Sequence, residues 1–392
     1  MVYLTGRAPA IRCVAVAGSA LLAAAVTLAA PATETGGAAT AATAATAATA
    51  ATCATAQGPF RDDGAKVLAA DGSVYIPYGI TVPGLAHSDY QDFTSADDAQ
   101  IQATAQDWCA NTVRLQVSQD TLVGANGTQD NTAFMAAIEA EVSLAESFHL
   151  VVVINAQTQD VGNEPGPTHA THVFWADIDS VYGHDPQVVF DLFNEPHVNA
   201  GSNAADWKVW QAGGTVNGTY YPGMQGLLNQ VRGDGATNLV WIEGPFTAST
   251  LARVKSYPVT GGPLMYAIHH PSGAHNSSVW WADFGYLVKQ GIAPVVDGEW
   301  TNYALPGKSE CWADAPTAVP AFLKYLGNHG IGMTAWKLVP GVLLESASFT
   351  DPTHIYTKSW NCTTSGLNQG AGNQILHFFE SHNDSPGASP AT

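Results

Sequence analysis

Apolar residues gather in eight short runs: 74–80 (VYIPYGI), 111–117 (NTVRLQV), 150–156 (LVVVINA), 188–193 (VVFDLF), 238–244 (NLVWIEG), 264–270 (LMYAIHH), 293–299 (APVVDGE) and 332–338 (GMTAWKL). They are rich in Val and Ile and mostly do not alternate with polar residues. That is the pattern of parallel strands buried on both faces. Between them lie helix-like stretches. Residues 133–148 (AFMAAIEAEVSLAESF) carry apolar side chains at three- and four-residue spacing. Residues 222–235 open with Pro and close with Gly, as helices tend to, and 318–330 has the same Gly stop. Eight strand-then-helix units predict an α/β protein built as a single (β/α)8 barrel. An open doubly wound sheet is the alternative. No Gly-x-Gly-x-x-Gly follows the first run, so a dinucleotide-binding version lacks its phosphate cradle.

In a barrel of this kind, functional groups sit at the C-terminal ends of the strands. Those ends carry Gln116, Gln157, Asn194-Glu195, Glu243, His269-His270, Glu299-Trp300 and Trp336-Lys337, with Arg114 inside the second run. Glu195 and Glu299 end the fourth and seventh runs, on opposite sides of the barrel mouth. Two carboxyl groups facing across a cleft suit glycosidic bond cleavage. One must be protonated to release the leaving oxygen, the other ionised to attack or to activate water. The plainer alternatives are a helix-capping Glu195 and an ion-paired Glu299. Arg114 in a barrel interior needs a buried carboxylate partner, and Glu299 is a natural one. Glu243 is read as a binding or structural residue, followed by an ordinary Gly-Pro turn. Trp336 and Trp300 are candidate sugar platforms, because sugar C–H faces stack on flat rings. Trp175 lies in a helix-like stretch and is expected in the core, while Tyr220-Tyr221 are further candidate subsite residues. No His-Glu-x-x-His or Cys-x2-Cys occurs, so neither a catalytic nor a structural metal is expected.

Asn194-Glu195-Pro196 after an apolar strand resembles the signature of glycoside hydrolase family 5, the cellulase-like retaining glycosidases, and the resemblance runs over most of residues 60–380. NTVRLQV is similar to that family's second strand, MYAIHH to its sixth, VVDGEW to its seventh and TAWKL to its eighth. The resemblance implies Glu195 as acid/base, Glu299 as nucleophile and Arg114 as the nucleophile's support. It implies Asn194 on the sugar 2-hydroxyl, His269 as the active-site histidine and Trp336 as the sugar platform. Two positions depart from the family. Its third strand usually ends in Asp-x-His, where this chain has Asn155-Ala156-Gln157. Its sixth-strand histidine is usually followed two residues later by a Tyr that bonds the nucleophile; here that position is Pro271. Gln157 is able to donate a hydrogen bond in place of the histidine but cannot titrate. Tyr303 or Tyr266 are candidates to supply the missing Tyr contact. The implied activity is a retaining β-glycoside hydrolase, endo-acting on a β-1,4-glucan. β-Mannan, β-1,3-glucan or another β-glycoside are the alternatives, and a noncatalytic carbohydrate-binding barrel is the alternative of another class. No cofactor is implied, and the expected partner of a monomer is a polysaccharide or oligosaccharide.

The N-terminal layout predicts export of this barrel, with an uncleaved membrane anchor as the alternative. Arg7 and Arg12 precede an apolar run, 14–30, and then Ala30-Pro31-Ala32, the layout of a secretory signal peptide over 1–32. Residues 33–56 read as an Ala/Thr-rich low-complexity linker, with five Ala-Ala-Thr copies over 38–52. The hydrolase domain is expected over 57–382 and a flexible tail over 383–392. The Ala-rich, Lys-poor composition points to a bacterial, secreted protein. With 14 Lys+Arg against 33 Asp+Glu, the net charge of −19 argues against nucleic acid and against anionic membrane as partners. Cys13 falls in the signal. Cys53, Cys109, Cys311 and Cys362 then allow three pairings, of which Cys311–Cys362 is favoured by proximity along the fold and Cys53–Cys109 ranks below it; free buried thiols are the alternative.

Overall fold

The computed structural model describes residues 53–158, 164–198, 203–269, 275–302, 304–305, 308–309, 312, 314–340, 342–344 and 371–383. Eight parallel strands close into a barrel: β1 (Tyr78–Val82), β2 (Thr112–Ser118), β3 (Val151–Gln157), β4 (Val188–Asp191), β5 (Val240–Glu243), β6 (Leu264–Ile268), β7 (Val295–Trp300) and β8 (Gly332–Ala335). Each pairs with the next in sequence, and β8 closes on β1 through Met333↔Tyr78. All eight predicted runs overlap a barrel strand. The first divides at Pro77, which has no N–H for a ladder. Val74–Tyr75 before it joins a small antiparallel sheet with Arg61–Asp63 and Lys66–Leu68, while Tyr78 after it enters the barrel.

Side chains on the strands alternate between two cores. Val151, Val153, Val189, Trp241, Met265, Ala267 and Val296 point to the axis and pack with Phe60, Val67 and Tyr75 of the small sheet. Their neighbours Val152, Ile154, Phe190, Ile242 and Ile268 point outward under the helices. Those helices include α1 (Thr94–Gln106), α2 (Thr132–Ser147), α3 (His169–Tyr182), α4 (Ala204–Ala212), α5 (Gly223–Asp234), α6 (Ala315–His329) and α7 (Gly372–Asn383). Side-chain caps start several of them: Asn131 accepts from the Phe134 N–H, and Asn203 from those of Ala205 and Asp206. Left-handed Gly235 and Gly330 end α5 and α6. Trp175 of α3 is fully buried and donates to the Leu192 carbonyl at 2.8 Å, a core role. No helix among the described residues is long and apolar enough to cross a membrane.

Cys53 and Cys109 form a disulfide with Cα atoms 5.2 Å apart. Asn383 at the end of α7 binds the same corner. Its side-chain amide donates to the carbonyls of Ala54 (3.0 Å) and Cys109 (2.8 Å), and its backbone carbonyl accepts from the Ala54 N–H at 2.8 Å. Cys311, Cys362 and the predicted signal and linker up to residue 52 lie outside the described residues.

Two buried acids couple α1 to α2. Asp97 and Glu141 share a hydrogen bond, and burial pushes Asp97 up to about 7 in spite of it. Burial, then the charge of Asp97, raises Glu141 as well. Asp98 adds repulsion, while Lys337 and the Gly84 backbone oppose the rise at Asp97. A carboxyl group raised on folding holds more protons in the folded state than in the unfolded one. Its contribution to stability is therefore complete below about pH 4 and is lost as pH climbs toward about 7. Asp97→Asn is expected to flatten this loss. Denaturant unfolding at several pH values should show a shallower pH slope for the variant over that window; parallel slopes would refute the shared proton.

Candidate active site

The rim is organised around one guanidinium. Arg114 points to the axis from β2, fully buried. Its Nε donates to Asp191 Oδ2 at 2.9 Å and its Nη1 to Glu299 Oε2 at 2.7 Å. Its Nη2 donates to Asn194 Oδ1 at 2.8 Å and Glu243 Oε1 at 3.0 Å. Asp191 and Glu243 are also axial: each lies two residues beyond an inward side chain of its own strand, Val189 and Trp241. A buried arginine is tolerable only when paired and hydrogen-bonded in this way. Burial drives the Asp191 carboxyl well upward, and the nearby Glu243 charge adds to this against the pull of Arg114. Glu243 goes the other way. Burial would raise it, but His269, then Arg114 and the Glu195 N–H, outweigh that and hold it low.

Glu195 and Glu299 are the two site acids that open to the cleft. Their side chains are 15% and 13% exposed, against 0% for both Asp191 and Glu243. Only the first pair can touch a substrate. Oxygens of Glu195 and Glu299 and a ring nitrogen of His269 all lie within 4.8 Å of one another. Positive charge at this cluster already comes from Arg114, so the acids are read as ion-paired carboxylates and not as a metal centre. Glu195 itself has φ 49°, a left-handed conformation that costs a non-glycine residue about 1–2 kcal/mol. Its N–H donates to Glu243 Oε2 at 2.6 Å, and its Oε1 lies 3.2 Å from His269 Nδ1.

Glu299 owes its direction to a slip in the sheet. Val296 lies on the axis, and a Cβ at Gly298 would lie 3.2 Å from His269 Nε2, so Gly298 also faces inward. Strict alternation would put Glu299 outside and Trp300 inside. Between Asp297 and Trp300, however, β7 takes three steps against two on β8. Such an irregularity re-aims a side chain: Glu299 reaches Arg114, and Trp300 turns under α6. Trp300 is therefore not a sugar platform. It is 1% exposed, with ring centroids 5.0 Å from Phe322 and 5.1 Å from Trp312. Trp336, at the end of β8, is half-buried, with Lys337 Nζ 4.8 Å from its ring centroid.

The remaining candidates divide. Asn194 is buried, with its N–H on the Ala156 carbonyl at 2.9 Å. Gln157 ends β3, buried, and its Oε1 has no partner among the described residues. Tyr221 is buried while Tyr220 is exposed, on the hairpin after α4. Tyr266 does not replace the missing tyrosine, because its hydroxyl is bound at Val259, to the N–H at 2.8 Å and the carbonyl at 3.0 Å. His270, Pro271 and Tyr303 lie outside the described residues. Gln116 makes a contact of that kind instead: its Nε2 donates to Glu299 Oε2 at 2.7 Å. Sequence reasoning placed Gln116 on the rim without a role and missed Asp191 and Asn155, whose Nδ2 donates to Asp191 Oδ2 at 3.0 Å. The signal available was polarity inside apolar strands, since a buried charge implies a partner on a neighbouring strand.

The turn after Glu243 is also not ordinary. Phe246, Thr247 and Ala248 have φ of 61°, 55° and 53°, and the Thr247 N–H donates to the Pro196 carbonyl at 3.1 Å. The segment following β5 is thus fastened to the segment carrying Glu195.

Comparison with known proteins agrees with the barrel. The description "Cellulase (glycosyl hydrolase family 5)" matches residues 71–341. An endoglucanase of Halalkalibacter akibai is 21% identical over 62% of this chain and 31% of its own length. Endoglucanase 5 of Pectobacterium carotovorum is 22% identical over 66% of this chain and 46% of its own. The chain thus spans about a third to a half of these relatives. A β-glucanase of Saccharophagus degradans in complex with cellotetraose superposes with a TM-score of 0.59 at 17% identity, covering 84% of this chain and 95% of that one. A β-mannanase of Thermomonospora fusca superposes with a TM-score of 0.52 at 17% identity, over 72% and 84%. At these identities the superpositions speak for the barrel alone, whereas the family match runs from before β1 to beyond β8: the chain belongs to glycosyl hydrolase family 5, a family of retaining glycoside hydrolases.

Proposed function

We propose that the protein is an exported endo-acting β-1,4-glucanase that works by double displacement. The observation that carries this reading is the pair of partly open carboxylates, Glu195 and Glu299, with oxygens inside 4.8 Å. Retaining glycosidases hold their carboxyl groups about 5–5.5 Å apart, and inverting ones leave room for a water between them. Glu299 attacks the anomeric carbon while Glu195 gives its proton to the leaving oxygen. Glu195 then takes a proton from the water that releases the glycosyl-enzyme. Arg114 and Gln116 both bind Glu299 Oε2, which fixes the nucleophile's orientation. Asn194, Gln157 and His269 position the sugar, and Trp336 lies beneath it. The glucan preference is supported by the relatives named endoglucanase, and export by the segment over 1–32.

A panel of β-glucans and β-mannan tests this, with product sizes and the anomeric form of the first product followed by NMR. The expected result is rapid loss of viscosity of a soluble β-1,4-glucan, short oligosaccharides and an initial β-anomer. No hydrolysis across the panel, or an initial α-anomer, would overturn it.

A further inference from the structure

Glu243, like Asp191, is an acid of the site that no step above uses. It ends β5, fully enclosed, and its two oxygens meet groups from four other places in the fold. Oε2 accepts the Glu195 N–H at 2.6 Å. Oε1 accepts from Arg114 Nη2 at 3.0 Å, lies 3.1 Å from His269 Nε2, and has Asn155 Nδ2 at 3.5 Å. Trp210 of α4 fixes the same residue from outside, donating to its carbonyl at 2.9 Å. The Glu195 bond matters because that residue holds a positive φ. Its N–H is turned in, onto Glu243, while its carboxyl is turned out to the cleft. The His269 ring lies between two carboxylates, 3.2 Å from Glu195 at Nδ1 and 3.1 Å from Glu243 at Nε2.

We propose that Glu243 is a positioning residue that fixes the backbone of Glu195 and the ring of His269 together, so that the acid/base keeps one place through both of its proton transfers. A carboxylate at each ring nitrogen favours the form in which both nitrogens carry hydrogen and the ring is cationic. Burial would strip that proton. The Glu243 charge, the bonds to Glu195 and Glu243, and Glu299 beyond them outweigh burial and hold His269 well above the ordinary histidine range. The other charged groups facing this pair are Arg114 from β2, Asp191 from β4 and Asp297 from β7. Asp297 is raised by burial and only partly relieved by His269 and the Glu299 backbone. The proposal rests on Glu195 as the acid/base.

The test uses Glu243→Gln, which keeps the shape and removes the charge, and Glu243→Asp, which keeps the charge and shortens the reach. In 15N NMR of the imidazoles, with His269 assigned through His269→Asn, the wild-type ring should stay doubly protonated well above the ordinary histidine range. In Glu243→Gln it should lose a proton about 1–3 pH units lower, the effect of an opposite charge at this range. On an aryl β-cellobioside with a poor leaving group, kcat should fall about 10- to 100-fold, with KM little changed. A dinitrophenyl leaving group, which needs no acid, should recover most of that loss in kcat/KM, whereas kcat stays low because hydrolysis of the glycosyl-enzyme still draws on Glu195 as base. Glu243→Asp should show the same leaving-group rescue with the His269 titration unmoved, and it serves alone if Glu243→Gln fails to fold. An unmoved His269 titration in Glu243→Gln, or an equal loss of kcat/KM on both substrates in either variant, would overturn the proposal. If wild type hydrolyses no β-glycoside, or Glu195→Gln retains full activity, the functional reading fails instead, and the His269 titration still judges Glu243.

Discussion

Glu299→Ala is expected to lower kcat by about 10^4-fold or more while leaving the fold intact. On the proposed roles, loss of the nucleophile removes the covalent intermediate, and among the described residues the other open acid, Glu195, stands on the opposite side of the cleft. The fold should survive because Arg114 keeps its contacts with Asp191 and Glu243, and because Glu299 is partly solvated. Unfolding midpoints close to wild type, with kcat reduced on every β-glycoside tested, would meet this expectation. Glu195→Ala separates the two roles. With a dinitrophenyl glycoside it should form the glycosyl-enzyme readily and stall at its hydrolysis. Azide should then release a glycosyl azide of the same anomeric configuration as the substrate. An α-azide from this variant would exchange the roles of the two glutamates.

Arg114→Leu should produce the largest loss of stability. Removing the guanidinium leaves Asp191 and Glu243 buried without their shared cation, a situation that costs about 3–5 kcal/mol. For a domain of this size that lowers Tm by about 10 °C. The deficit should depend on pH. Glu243 is held low in the native protein, so its stabilisation is present above its unfolded value and lost as pH falls through the folded one. In the variant, protonation is the easiest way for both acids to escape an unpaired burial. The gap between variant and wild type should therefore be widest near neutrality and narrow toward about pH 4. A gap independent of pH would show that the arginine acts through packing of its stem and not through charge.

The barrel was legible because a strand buried on both faces leaves an uninterrupted apolar run that few other elements imitate. The boundary at Pro77 was less so, because the run VYIPYGI reads as one strand until the missing N–H is placed in a ladder. At the site, residues at strand ends were legible and residues inside strands were not. Arg114 was expected to face Glu299, and it does, but it also holds Asp191, Asn194 and Glu243. Those contacts join strands far apart in sequence, and no spacing announces them. Trp300 shows a different limit. Its direction depends on a register slip of one residue against β8, which alternation cannot foresee; Gly298, where His269 leaves little room for a side chain, was the one local hint. The turn after Glu243 was read from Gly244-Pro245 as ordinary, because three left-handed residues in succession run against their own preferences and no local signal announces the bond from Thr247 to Pro196.

The corner made by Cys53, Cys109 and Asn383 has a consequence for how the chain could be rearranged. Ala54 and Asn383 are hydrogen-bonded neighbours, so the first and last described residues of the barrel adjoin on the face away from the reacting rim. The order in which the eight units are strung together is then separable from the ring they form. A short bridge between those two ends, with the chain opened at a connection elsewhere on the same face, would give a circular permutant with the same eight strands in the same neighbourhoods and the same two glutamates across the same mouth.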